Sequence, residues 1–168
     1  IAERPDIDRW ILSVLQSLAR DVTTEMEAYR LYTVVPRLVS FIDDLTNWYV
    51  RRSRARFWKS EDDRDKANAF ATLYEVLTTF SKILAPFMPF LTEEVYQRLV
   101  RAVDEGMPAS VHWCDFPQAD TSLIDAGLDP TTGLQVVPAG AIAAEELSLF
   151  GRRARVLALH TFLTDGTS

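Results

Sequence analysis

Five cationic side chains, Arg51, Arg52, Arg54, Arg56 and Lys59, fall within nine residues, with Trp48, Tyr49, Phe57 and Trp58 around them. Cations neutralise phosphates, and flat rings offer faces to unstacked bases. That pairing points to RNA ahead of a small metabolite. Complementing the negative C-terminal end of a helix takes one or two cations, so four arginines in six residues exceed that need. Trp48 and Tyr49 also continue an apolar helical face, which makes core filling the simpler role for both. At helical spacing Arg51, Arg54 and Lys59 project differently from Arg52 and Arg56. One set can line a groove while the other lies over the bundle.

Motifs for catalysis are missing from the chain. It has no glycine-rich phosphate loop, no Glu-x-x-His pair and no Gly-x-Ser-x-Gly elbow. The acidic pairs Asp43-Asp44 and Glu93-Glu94 read as solvated faces or helix N-terminal charges. Cys114 is the single cysteine, and His112 and His160 are the two histidines. That set offers neither a disulfide nor a zinc-site pattern.

Composition frames the basic segment. The 168 residues carry a net charge of −6, so an RNA-binding surface must be a local patch on an acidic background. Arg4, Asp6, Asp8 and Arg9 interrupt any secretory signal at the start, and no apolar run reaches transmembrane length. A reducing, cytoplasmic setting is the expectation. The opening Ile1-Ala2-Glu3-Arg4-Pro5 lacks an initiator methionine and looks like a piece of a longer protein.

Helices must position these residues. A first helix is expected from Asp6, with Ile7, Trp10, Ile11, Val14, Leu15, Leu18, Val22, Met26 and Tyr29 on one apolar face. A second runs from about Leu31 to Arg56, and Pro36 should kink or restart it. Ser60 to Asp63 reads as a charged turn. A third helix presents Phe70, Leu73, Tyr74, Leu77, Phe80, Ile83 and Leu84. Pro86 and Pro89 break it, turning Phe87 and Phe90 into the core. Thr92 then caps a fourth helix, from Glu93 to about Val103. Ser110 to Phe116 is expected as a short extended piece anchored by Trp113 and Phe116. Residues 119–168 form an atypical tail, with one more helix possible at 141–159. The whole reads as an all-α antiparallel bundle of four to five helices, with its helical domain over residues 6–118.

Several runs, in order, resemble the isoleucyl-tRNA synthetase family. They are Asp8 to Ser13, Tyr29 to Leu38, Phe41 to Arg51, Leu84 to Tyr96 and Ser110 to Pro117. The turn around Pro86 and Pro89 is shared with the sister valyl, leucyl and methionyl enzymes. The Asn47-Trp48-Tyr49-Val50-Arg51 run with further arginines favours the isoleucyl member. The resemblance implies a class Ia helical anticodon-binding domain that binds tRNA, isoleucine-specific in the parent. It also implies a parent enzyme that attaches isoleucine to its tRNA, using ATP and Mg in a catalytic domain, with an editing domain beside it. Neither the His-Ile-Gly-His-type nor the Lys-Met-Ser-Lys-Ser-type motif of that catalytic domain occurs here, so no cofactor and no activity are expected of this chain alone. The resemblance places Asn47, Trp48, Arg51, Arg52, Arg54 and Arg56 on the RNA-facing or core-forming helix, and Lys59 joins them as a tRNA-binding candidate. The competing expectation is a helical protein-interaction scaffold whose arginines pair acidic partners.

Overall fold

The computed structural model describes residues 4–58 and 63–125. Lys59, most of the turn before residue 63 and the tail from 126, including the expected helix at 141–159, lie outside the described residues. Among the described residues the fold is helical throughout, with no strand.

Helix α1 covers Asp6–Glu27. Pro5 starts it, its carbonyl accepting from the Asp8 and Arg9 amides at 3.0 and 3.1 Å. Ile11, Leu15, Leu18 and Val22 are buried along one stripe, as the periodicity predicts. The expected stripe ends early, because Tyr29 is 90% exposed with φ 57°. The Arg30 amide reaches the Glu25 carbonyl at 2.8 Å and the Tyr29 amide reaches Met26 at 3.0 Å. This is a Schellman closure with tyrosine in the left-handed position that glycine usually takes. Glu25 locks the turn by accepting from Arg30 at 2.7 Å and from the Thr33 hydroxyl at 2.7 Å. Those bonds, Arg30 first, pull its carboxyl down to about 2.

The chain then reverses. Helix α2 spans Leu31–Asp43 and passes through the exposed Pro36 without ending. It continues as a π-helical stretch, Asp44–Val50, and on to the short helix α3, Arg54–Trp58. Phe41, Leu45, Tyr49, Ser53 and Phe57 are all buried at four-residue steps. In a pure α-helix each such step overshoots one turn by roughly 40°. The wider π turn absorbs the overshoot and keeps this line facing the core.

Helix α4, Asp63–Leu84, returns against both predecessors. Its buried line is Ala69, Thr72, Val76, Phe80, Ile83 and Leu84, with Leu73 and Leu77 packed beside it, so the expected face holds except at Phe70 and Tyr74. Phe70 and Tyr74 are 50% and 43% exposed. The small Ala69 and Thr72 let α4 approach closely enough for the Tyr49 hydroxyl to reach the Ala69 carbonyl at 3.3 Å. Phe80 meets Phe41 with ring centroids 4.7 Å apart.

Pro89 occupies the first turn of α5, Pro89–Tyr96, so the helix begins ahead of the expected cap. Thr92 is buried inside it and bonds back to the Met88 carbonyl at 2.9 Å. Phe87 packs on the main core, whereas Phe90 is 90% exposed, contrary to expectation. A second π stretch, Gln97–Arg101, follows. Residues 111–113 make one 3-10 turn in place of the expected extended piece, and Trp113 is 75% exposed. Phe116 and Ala119 pack on the main core. The following residues lie along α1, with the Asp120 amide on Gln16 at 2.9 Å and the Asp125 amide on Ser13 at 3.0 Å.

Candidate nucleic-acid interface

The expected site sits where the α2–π–α3 rod ends. Tyr49, Ser53 and Phe57 face inward, which turns Arg51, Arg52, Arg54, Ala55 and Trp58 to solvent. These five line a shallow recess of about 560 Å³. Among the described residues Arg51 and Arg54 engage no carboxylate.

Arg56 departs from the expectation. Its Nη1 and Nη2 donate to the two Asp8 oxygens at 2.7 and 2.9 Å. Nε donates to Asp65 at 2.9 Å, and Nη2 also reaches Asp65 Oδ1 at 2.7 Å. The Arg56 side chain is 16% exposed and Asp8 is fully buried. Two carboxylates saturate this guanidinium, which removes it from the phosphate-binding set. Hydrogen bonds from Arg56 to Asp8 hold its pKa above even the usual arginine range, with Asp65 adding to the effect against the cost of burial. The Tyr49 hydroxyl donates to Asp8 at 2.9 Å. Burial, then the negative Asp8, pushes its pKa up. The network joins α1, the π stretch, α3 and α4, and so fixes the helix that carries the exposed arginines.

The remaining candidates divide. Asn47 is exposed, and its amide nitrogen bonds the Asp43 carboxylate one turn back at 3.1 Å. Trp48 is 36% exposed, so the aromatic that fills the core is Tyr49, with Trp48 beside it on the surface. Neither lines the recess.

Asp8 and Trp58 were not among the expected site residues. Asp8 had a legible signal: it extends the Ile11–Leu15–Leu18–Val22 stripe back by one step, so a carboxylate occupies a core position. A buried carboxylate needs a cationic partner. Among the described residues no cluster of three or more His, Cys, Asp or Glu could hold a metal ion, and no helix is long and apolar enough to cross a membrane.

What the surface offers is a pair of permanently charged planar forks beside an open indole. Guanidinium forks match phosphate oxygens two at a time.

Comparison with known proteins gives a consistent result. The family described as anticodon-binding domain of tRNA ligase matches residues 8–148. An isoleucine–tRNA ligase of Clostridium acetobutylicum is 45% identical over 130 residues, covering 77% of this chain and 13% of the relative. One from Dehalococcoides mccartyi strain CBDB1 is 53% identical over 127 residues, 76% of this chain and 12% of the relative. One from Chlamydia muridarum is 56% identical over 115 residues, 68% of this chain and 11% of the relative. The chain thus spans about an eighth of the length of the curated relatives it matches.

Proposed function

We propose a tRNA-binding role for this chain, which belongs to the family of anticodon-binding domains of tRNA ligases. The observation that carries the role is the division of labour among the arginines. Arg56 is consumed by Asp8 and Asp65, whereas Arg51 and Arg54 stand exposed on an otherwise acidic chain. Contacts from these forks to phosphates position an RNA, and base reading requires further contacts in an unpaired loop.

The helical body over residues 6–118 is the RNA-binding unit in this reading. It works within an isoleucine–tRNA ligase that joins isoleucine to its tRNA with ATP and Mg. The catalytic and editing parts lie beyond the region that this chain shares with its relatives. The setting is the cytoplasm, and the cognate partner is the isoleucine tRNA.

The test is a fluorescence titration with isoleucine tRNA, a non-cognate tRNA and an isoleucine tRNA with a swapped anticodon. Preference for the isoleucine anticodon supports recognition by this chain. Equal, salt-sensitive binding to all three limits its contribution to phosphate affinity. Absence of binding to any of them overturns the reading.

A further inference from the structure

Trp58 is 74% exposed, an unusual placement for the largest side chain on a helix that also supplies core. Phe57, itself buried, meets Trp58 edge-on, with centroids 6.2 Å apart and planes at 86°. Phe57 is braced in turn by Phe70 at 5.1 Å and 63°. An edge-on contact leaves at least one indole face uncovered. On the outward side of the helix, Arg51, Ala55 and Trp58 follow at steps of four and three, which stacks them on one face. Arg54 precedes Trp58 by four residues, about 6 Å along the axis. Ala55 has no side chain beyond its methyl, which leaves the recess open between the guanidinium groups and the ring.

We propose that Trp58 is a stacking platform for one unpaired base, whose own or neighbouring phosphate is held by Arg51 and Arg54. This rests on the tRNA-binding reading and sharpens it. The ligand class is single-stranded RNA, and a duplex, whose bases are already stacked, gains only the phosphate contacts. Stacking of this kind tolerates any base, so the platform holds the strand without reading it. A protein partner with an acidic segment would satisfy the arginines but would leave the uncovered indole face without a flat counterpart.

The experiment compares the 168-residue chain with Trp58→Ala, Trp58→Phe and the Arg51→Glu/Arg54→Glu double variant. The probes are single-stranded oligoadenylate, the oligoadenylate–oligouridylate duplex and isoleucine tRNA. Equal urea midpoints first establish that Trp58→Ala and Trp58→Phe are folded alike. Trp58→Ala is expected to weaken oligoadenylate binding on the order of tenfold, with the duplex affinity and the salt slope unchanged. Trp58→Phe should keep most of the affinity while losing the part of the tryptophan quenching that oligoadenylate causes in the parent chain. If Trp58→Ala binds oligoadenylate like the parent while the arginine reversal abolishes binding, the platform is wrong and phosphate contact stands. Equal losses on single strand and duplex also overturn the platform. If the parent chain binds none of the three RNAs, the tRNA-binding reading falls as well.

Discussion

Arg56 and Asp8, 48 residues apart in the chain, form a two-pronged ion pair in which each carboxylate oxygen takes one guanidinium nitrogen, at 2.7 and 2.9 Å. The pair ties the start of α1 to the end of the rod that carries the exposed arginines. Removing Asp8 leaves Arg56 with Asp65 alone and takes the closer acceptor from the buried Tyr49 hydroxyl. Asp8→Ala should destabilise the chain by about 3 kcal/mol, read as a lower urea midpoint at unchanged slope. Arg56→Lys should also destabilise it, because a single ammonium cannot serve two carboxylates as a fork does.

Tyr29 predicts a gain. It holds the left-handed position of the Schellman turn with its side chain almost fully in solvent. Tyr29→Gly relieves a backbone cost and gives up little packing. Stability should rise by about 1 kcal/mol, measured by the same denaturation.

Alkaline pH should loosen the core in two places. Burial, followed by Asp8, raises the pKa of Tyr49, and burial, followed by the Cys114 hydrogen bond, pushes Tyr96 up to about 12. Below pH 10 both phenols are protonated whether the chain is folded or not. Above it the unfolded chain sheds these protons first, so stability falls as pH rises from 10 towards 12. Urea midpoints at stepped pH should drop across that window, and Tyr49→Phe or Tyr96→Phe should flatten the drop.

Glu93 governs the acid side of the α5 region. Burial alone would raise its pKa, but bonds from the Gln97 amide, the Ser110 hydroxyl and the Val111 amide outweigh that and lower it. Its contribution is therefore present above the usual value of 4.5 and lost as pH falls below it. Glu93→Gln should lower the amide protection factors across 110–114 at neutral pH and reduce their further fall in acid.

The stripe of α1 and the helical class were legible because apolar residues at three- and four-residue steps leave one burial solution. The face of helix α4 was legible from Leu73 to Leu84 but not at Phe70 and Tyr74. Phe70 and Tyr74 outweigh Ala69 and Thr72 in hydrophobicity, yet close approach to Tyr49 favours the small residues. The α5 start was misread because Thr92 looks like a cap, whereas Pro89 at the first turn already satisfies the geometry. The basic cluster was legible as a patch, but its sorting was not. Nothing near Arg56 in sequence reveals that Asp8 and Asp65 converge on it, since that depends on α1 and α4 meeting α3.

The most direct test of phosphate contact by the exposed arginines is the salt dependence of isoleucine-tRNA binding by the parent chain and by the Arg51→Glu/Arg54→Glu variant. Phosphate contact predicts weaker binding and a slope of log affinity against log salt that is shallower by about one for each arginine lost. An unchanged affinity and slope in the double variant would contradict it.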